Sequence, residues 1–581
     1  MPIKDLFRSF KAYWIVFFIP LVVISFSFLL KFASGPYWQF PDPCYGYLTS
    51  SLSLVKGFSP TFNYQPGTSV ELLGALVVSL LNIGHSSAEA VHRALLDPDF
   101  YLNAINLVMI VLAFLTSTIL GLYVYRQTND KLAVLLSQLP TLSFLALRSY
   151  TFYDYVLPVV TNVTPEPLLI SVSCLFNFCF LKLFFAKDKR EEVVLTLLLA
   201  FISGLGVSTR LVFAPFLVLP LIVCRGWMKS LFLFASVISC FFWTISIIPS
   251  YGWIWAWVVK LVTHVGEYGS GDKGFINFHQ YLVDWHTILG KCTLLILFAL
   301  VAVVISLRQL IKDRSHKGAI FVLATAFCIL LQLAVIAKHY DEHYLVSAIN
   351  LFSPLFVLFY LNCKNKSSFF KGVVFAYIMV FIVQALGNAL VYDKKLTGYT
   401  QDAVRFNNMI HAKYPNFIFI GMFPMPMANP EAAFFWGNDR DNRQQDELAN
   451  LYPKRLAYFG NNINDYAPYV YGIYSIKQRV WADDLIKNGS NVIFVAPKGY
   501  DFSQSPYTVL PIEQAKFAAA YLLVGSTEKQ ANELLEVSFR LLKAGDYKDA
   551  FACALKSREL HYQPVEKADI VLSILYPHIK H

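Results

Sequence analysis

The chain has 581 residues, of which 56% are hydrophobic, 16% aromatic and only 15% charged, with a formal net charge of +10. This composition excludes an ordinary soluble globular protein. It does not indicate a nucleic-acid-binding protein either, because the excess of Lys and Arg lies between apolar segments and the C-terminal third is nearly neutral.

Apolar segments that reach or approach the ~20 residues needed to cross a bilayer recur through the first two thirds of the chain. They predict eleven transmembrane helices, at about 12–32, 102–125, 132–147, 168–185, 193–208, 211–224, 230–249, 288–306, 319–337, 345–361 and 373–391. The segment 69–83 is shorter and is followed by polar residues, so we expect a helix that lies at the membrane interface.

Lys4, Arg8 and Lys11 precede the first helix, which predicts a cytoplasmic N-terminus. With eleven crossings, Lys and Arg concentrate in the short inner segments, and the longer outer segments hold fewer. A further crossing at 69–83 would reverse this bias. We therefore expect 1–391 to form a transmembrane domain whose periplasmic segments are 33–101, 148–167, 250–287 and 337–344.

The composition changes at residue 392. The short apolar runs 417–424 and 491–497 are bounded by Gly and Pro and predict strands, hence a periplasmic α/β domain at 392–530. The end, 531–581, carries Gly545, Tyr547 and Ala550 in the spacing of a tetratricopeptide-like helical hairpin. The predicted fold class is an α-helical polytopic membrane protein with a soluble α/β plus helical-hairpin domain.

Asp42 is the first candidate for chemistry. It lies between Pro41 and Pro43 soon after the first helix, and the two prolines favour a stiff, non-helical conformation. An ionisable group held at a membrane face is a functional candidate by default. The plain alternative is a solvated acid in a loop.

A second acid is expected in the segment 148–167. Glu166 lies between Pro165 and Pro167 at the start of a predicted helix, in a setting like that of Asp42. Its alternative role is a favourable interaction with the helix N-terminus, worth about 0.3–1 kcal/mol. Asp154 is in the same segment and competes with Glu166 for the role.

The order of these features resembles the GT-C class of membrane glycosyltransferases, which includes the bacterial lipid A aminoarabinose transferases and the protein O-mannosyltransferases. The resemblance covers 1–391. It rests on the acid in the first outer loop, on QPGTSVELL (65–73), on a second acid in the second outer loop and on the soluble outer domain. GLGVSTRLVFAPFLVLPLI (204–222) and HYLVSAINLFSP (343–354) also look like segments of this class. The chain departs from the class in the second loop, where two acids compete.

The resemblance implies inverting transfer of a sugar from a polyprenyl-phosphate donor to a lipid, glycan or protein, on the periplasmic face of a bacterial inner membrane. Asp42 would be the base, or a ligand of the acceptor or of a divalent cation. Glu166 or Asp154 would be the second acid. The donor phosphate would be held by four side chains, namely Arg210, Lys338, His339 and His343.

The glycine-rich segment 266–274 would close over the sugar phosphate with His264, Glu267 and Tyr268, since glycines let main-chain N–H groups approach an anion. A plain flexible loop is the alternative there. Arg210 could instead extend to the interface, and His339 with His343 could bind zinc at their four-residue spacing. The need for Mg²⁺ or Mn²⁺ stays open.

Two other functions compete with the enzyme. A transporter or flippase for a lipid-linked substrate predicts internal repeats and charged residues at mid-membrane depth. The acids in this sequence fall at the predicted outer rim. A non-enzymatic assembly scaffold predicts that the outer domain suffices and that Asp42 is dispensable.

Overall fold

The computed structural model describes residues 3–40, 42–60, 62, 67–152, 155–266, 269–363, 367–422, 433–434, 444–451, 457–460, 469–472, 475–481, 491–500, 502, 508–524, 527–544, 547–560 and 572–575. The chain forms two compact units. One contains residues 1–35 and 50–397, and the other contains 36–49 and 398–581.

The first unit is a bundle of helices, two of which, α2 and α17, continue into the second unit. In chain order they are α1 Ile3–Ser34, α2 Cys44–Val55, α3 Thr68–Leu81, α4 Ser87–Leu96, α5 Pro98–Thr128, α6 Lys131–Gln138, α7 Pro165–Phe185, α8 Lys189–Thr209, α9 Val218–Val223, α10 Met228–Trp243, α11 Tyr251–Thr263, α12 Phe278–Lys291, α13 Thr293–Lys312, α14 Lys317–Ile336, α15 Leu345–Asn350, α16 Phe352–Cys363 and α17 Ser368–Lys413. An antiparallel hairpin of β1 Arg148–Phe152 and β2 Tyr155–Pro158 precedes α7.

The prediction of a polytopic helical membrane protein is confirmed. The described part of the chain contains nine helical segments long and apolar enough to cross a bilayer: Tyr13–Ser34, Pro98–Thr128, Pro165–Phe185, Lys189–Thr209, Ile245–Thr263, Thr293–Lys312, Lys317–His339, Glu342–Cys363 and Ser368–Lys413. The shorter apolar helices are Thr68–Leu81, Lys131–Leu145, Leu211–Val223 and Met228–Trp243. Eight of the nine long segments and three of the four shorter ones correspond to the eleven predicted helices. The fourth shorter one, Thr68–Leu81, is the helix expected at the interface.

The segment 250–287 differs from the outer loop that the sequence predicts. It contains α11 and most of α12, and Ile245–Thr263 is itself apolar enough to be a crossing. The reason lies in Trp253, Trp255 and Trp257. These residues are typical of interfacial anchors, but they also extend the apolar stretch of α11, no residue of which is buried in the protein.

Glycines bring α8 close to its neighbours. A Cβ on Gly204 would lie 2.5 Å from the main-chain nitrogen of Cys240 in α10, and one on Gly206 would meet the ring of Phe213. Small residues at such contacts let helix backbones approach closely, which is how helices associate where lipid removes the usual hydrophobic driving force. The last turn of α8 is therefore held tightly.

We predict that Gly204→Ala destabilises the protein by about 1–3 kcal/mol, because the added methyl group must displace main-chain atoms of α10. Gly387→Ala in α17 is the matched control, since a Cβ there meets no atom within 4 Å. Thermal unfolding of both variants in one detergent measures the difference. Equal midpoints for the two variants would contradict this packing.

The second unit contains a seven-stranded sheet with strand order β6-β5-β4-β3-β7-β9-β8. The strands are β3 Ile418–Met422, β4 Ala457–Gly460, β5 Tyr469–Gly472, β6 Ser475–Trp481, β7 Val492–Pro497, β8 Thr508–Gln514 and β9 Ala518–Val524. The central strand β3 pairs in parallel with β4 and β7, and the remaining pairs are antiparallel. β3 and β7 are the two strands predicted at 417–424 and 491–497.

The last helix of the bundle extends further than the sequence indicates. The prediction ends it at 391, but α17 continues to Lys413. Leu396, Ala403, Phe406 and Ile410 are buried at helical spacing, and the last two join the core formed with β3 and β7. The polar residues between them hide this amphipathic pattern from a search for apolar runs.

The predicted helical hairpin follows the sheet. Its helices are α19 Thr527–Ala544 and α20 Tyr547–Leu560, and a further short helix, α18 Gln445–Leu451, lies earlier in this unit. Leu535 of α19 packs with Ala550 and Ala554 of α20. Gly545, predicted to form the turn, lies outside the described residues.

Candidate active site

Glu166 lies in the first turn of α7, where Pro165 and Pro167 flank it. Proline is well suited to a first turn, because its fixed φ matches the helix and the N–H that it lacks has no partner there in any case. The helix consequently starts three residues before the predicted position. The side chain of Glu166 is only 1% exposed and forms an ion pair with the guanidinium of Arg210.

Arg210 follows the last residue of α8 and has an extended backbone. It is buried, with 6% of its surface exposed. Its Nη2 lies 2.9 Å from Nε2 of His343, and its guanidinium carbon lies 4.6 Å from the ring centroid of Tyr344. The buried position excludes the alternative in which Arg210 extends to the membrane interface.

The segment between α14 and α15 supplies the other residues around Arg210. His343 is buried, with Nε2 4.0 Å from Oε1 of Glu166 and Nδ1 3.1 Å from Oδ1 of Asp341. Burial alone would raise the pKa of Asp341, but the charges of His343 and Arg210 hold it below its ordinary value overall. We call Glu166, Arg210, Asp341 and His343 the Arg210 cluster.

The Arg210 cluster can recognise an anion. A guanidinium has five N–H donors, and Arg210 Nε has no hydrogen-bond partner among the described residues. Arg210 therefore keeps a donor for a ligand while Glu166 and His343 fix its position. Planar guanidinium groups bind phosphate through paired hydrogen bonds, which makes a phosphate ester a suitable ligand.

The same cluster fits a metal ion poorly, because the carboxylates of Glu166 and Asp341 already face Arg210 and His343. No group of three or more His, Cys, Asp or Glu among the described residues is arranged to hold a metal ion. No catalytic step is therefore assigned to a metal below.

Two predicted phosphate ligands lie elsewhere. Lys338 donates to the main-chain oxygens of Leu261 and Val262, at 2.7 and 2.6 Å, and His339 Nε2 lies 2.9 Å from the oxygen of Leu261. These carbonyls end α11, where cationic side chains are favourable. The structure thus brings together Arg210, His343 and Glu166, and it brings Lys338 and His339 to the end of α11.

The remaining candidates do not join the Arg210 cluster. His264 follows α11, with Nδ1 3.0 Å from the Thr263 hydroxyl. Asp42 belongs to the second unit, in a turn directly before α2, and is partly exposed. Asp154, Glu267 and Tyr268 lie outside the described residues.

Glu71 is a buried acid for which no role was predicted. It lies in the first turn of α3 and is 0% exposed; burial raises its pKa well above the ordinary value, and the Ser50 hydroxyl only partly opposes this. Ser69 of the same turn donates to Thr209, the residue before Arg210, at 2.6 Å. α3 thus begins beside the Arg210 cluster. A single acid in an apolar helix is the signal that could have identified it.

We predict that Glu166→Gln lowers stability by about 3–5 kcal/mol, because it leaves the buried guanidinium without its charge partner. The double variant Glu166→Gln/Arg210→Met should regain much of this loss, since no unpaired charge remains. Chemical unfolding in detergent measures both changes.

The exposed pair Glu89 and Arg93 in α4 is the matched control, with 3.0 Å between its charged atoms. Glu89→Gln should barely move the unfolding midpoint, because solvent screens that pair. A similar small effect for Glu166→Gln would show that the buried pair does not constrain the fold.

No protein-family model matches the chain, and no curated protein is significantly similar to it. Among the solved structures that are similar in backbone, two cover most of this chain. The first is ArnT from Cupriavidus metallidurans bound to undecaprenyl phosphate, with a TM-score of 0.44 at 12% identity, over 87% of this chain and 98% of ArnT.

The second is an oligosaccharyltransferase from Archaeoglobus fulgidus in complex with Zn and sulfate. It has a TM-score of 0.40 at 10% identity, over 97% of this chain and 86% of that protein. ArnT is an aminoarabinose transferase of the GT-C class, which is the class that the sequence resembles. At TM-scores below 0.5, neither likeness assigns a substrate or a residue role to this chain.

Proposed function

We propose that this chain is a membrane glycosyltransferase that transfers a sugar from a polyprenyl-phosphate donor to a lipid, glycan or protein acceptor. The observation that carries the proposal is the Arg210 cluster, in which Glu166, Arg210 and His343 are buried where α7 begins and α8 ends. Buried ionisable groups in a membrane bundle are costly, and they mark substrate sites by default. A phosphate on a lipid tail supplies both the anion and the apolar part that such a site suits.

Arg210 is the residue that binds the donor phosphate. Its Nε–H contacts a phosphate oxygen, while the ion pair with Glu166 keeps the guanidinium oriented. His343 stands on the other side of Arg210, where its Nε2 accepts a hydrogen bond from Nη2 of Arg210 and helps to hold the guanidinium in place. The interaction stabilises the negative charge that grows on the phosphate as the sugar leaves.

The reaction is an inverting displacement at the anomeric carbon. An acceptor oxygen forms a bond to that carbon while the bond from the carbon to the phosphate oxygen breaks. The electron pair of the broken bond stays on the phosphate, and the proton of the acceptor hydroxyl passes to a base within about 2.6–3.2 Å. We assign the base to Asp42, with a role as a ligand of the acceptor as its alternative. Asp154 is the alternative acid.

The reaction is assigned to the periplasmic face of a bacterial inner membrane, with a cytoplasmic N-terminus. The distribution of Lys and Arg supports this orientation, because the basic inner segments are predicted at the opposite ends of the helices from Glu166 and Arg210. The C-terminal part of the chain, 392–581, would then be periplasmic and recognise the acceptor or a partner.

We predict that purified protein transfers label from at least one member of a panel of radiolabelled polyprenyl-phosphate sugars into membrane lipid, glycan or protein. Arg210→Ala should reduce the rate by about 100-fold or more, since it removes the contact to the leaving phosphate. Asp42→Asn should have a similar effect if Asp42 is the base. Both variants are compared with wild type at matched amounts of folded protein.

Arg93→Ala is the control, because Arg93 is an exposed arginine whose partner is Glu89. Its rate should equal that of wild type. If Asp42→Asn retains transfer and Arg210→Ala does not, the proposed enzyme activity is supported. The catalytic base is then an acid other than Asp42. Absence of transfer from every donor would contradict the proposal and favour a flippase or a scaffold.

A further inference from the structure

A second polar site lies in the first unit, apart from the Arg210 cluster. It is a cavity of about 200 Å³ between the start of α13, the residues before β1 and the second half of the apolar part of α17. A water molecule occupies only ~30 Å³ in the liquid, so this cavity admits a much larger group. We call it the Lys291 cavity.

The charges around the Lys291 cavity do not cancel. Nζ of Lys291 lies 2.9 Å from Oε2 of Glu342, and Nε of Arg148 lies 3.7 Å from the same oxygen. Glu342 is the one carboxylate among the described residues that line the cavity. Arg148 also donates to the Tyr392 hydroxyl at 3.3 Å. Arg148 does not itself line the cavity, but it compensates the charge of Glu342 and so leaves the charge of Lys291 for a ligand.

The wall formed by α17 supplies neutral hydrogen-bonding groups. Gln384, Asn388 and Tyr392 follow each other at four-residue spacing, so they share one face of the helix and line the cavity. Gln384 and Asn388 are exposed although they belong to an apolar segment. Carboxamides in an apolar segment are costly unless they have hydrogen-bond partners. They can both donate and accept hydrogen bonds.

One residue that lines the cavity is adjacent in sequence to a residue of the Arg210 cluster. Glu342 lines the cavity, and the next residue, His343, contacts Arg210. Consecutive residues of one short turn thus face two different sites. A ligand in the cavity would lie within the same helical bundle as a phosphate held by Arg210.

We propose that the Lys291 cavity binds the acceptor through a hydroxylated group that carries one negative charge, such as an acidic sugar residue or a phosphodiester headgroup. Lys291 pairs with the anion, Glu342 accepts from a ligand hydroxyl, and Gln384 and Asn388 bind the remaining hydroxyls. The identification of this ligand as the acceptor rests on the proposed function. The binding itself does not depend on transfer.

The test measures direct binding of small probes to the full-length protein in detergent. Binding is detected by ligand-observed NMR. The probes are glucuronate as an acidic sugar, glycerophosphoglycerol as a phosphodiester, and glucose as the neutral control. We expect one or both anions to bind at least ~10-fold more tightly than glucose, since a hydrogen bond to a charged group is worth that much or more. The anion that binds identifies the source of the charge.

Ala385→Leu should weaken the binding about 10-fold or more, because Ala385 lines the cavity and the larger side chain takes space from the ligand. Gly387→Ala is the matched control two residues along α17, where a Cβ meets no atom within 4 Å, and it should bind as wild type does. Lys291→Gln should weaken binding of the anion about 10-fold and leave binding of glucose unchanged.

Unchanged binding in Ala385→Leu would overturn the inference, as would equal binding of glucose and the anions or no binding of any probe. The Arg210→Ala variant separates this inference from the proposed function. It should lose transfer but retain binding of the anionic probe. If the wild-type protein binds the probe but transfers no sugar, the proposed glycosyltransferase function is contradicted, and the proposed binding site in the Lys291 cavity is supported.

Discussion

The arrangement of this site depends on one interaction, the buried ion pair between Glu166 and Arg210. Removing a carboxylate and a guanidinium from water is expensive, and their attraction offsets the cost only when the geometry is good and further hydrogen bonds are present. His343 supplies such a contact at 2.9 Å. The pair therefore requires that the start of α7, the end of α8 and the segment after α14 meet at one point.

The surrounding packing serves this requirement. Gly204 lets α8 approach the backbone of α10, and the Ser69 hydroxyl donates to Thr209 at the end of the same helix. The main chain then turns into an extended conformation at Arg210, which directs the side chain into the bundle. A cation fixed in this way needs little reorganisation when an anion arrives, which is the property that electrostatic catalysis requires.

The class of fold could be predicted from the sequence because hydropathy reports directly on bilayer crossing. Weaker apolar patterns were less informative. The continuation of α17 to Lys413 was missed because polar residues separate its buried positions, and β4, β5, β6, β8 and β9 were not predicted, in contrast to the strongly apolar β3 and β7.

The site was only partly predictable. The prolines around Glu166 and the turn after α8 indicated Glu166 and Arg210, and His343 was named beside them. Sequence alone could not tell which of the neighbouring cations reach the pair. Lys338 and His339 meet the carbonyls of α11 instead, because a helix C-terminus attracts cations as a phosphate does. Lys291 and Glu342 received no role, since only the tertiary structure brings their partners close. Glu71 was missed although a single acid in an apolar helix is a signal in the sequence.

The central claim is that Arg210 holds the donor phosphate, and binding of a sugar-free polyprenyl phosphate tests it most directly. The measurement compares wild type, Arg210→Lys and Arg93→Lys in nanodiscs of one lipid composition. Lysine keeps the charge but lacks the planar set of donors, so the account predicts binding at least ~10-fold weaker for Arg210→Lys and unchanged for Arg93→Lys. Equal affinity of all three proteins would contradict it.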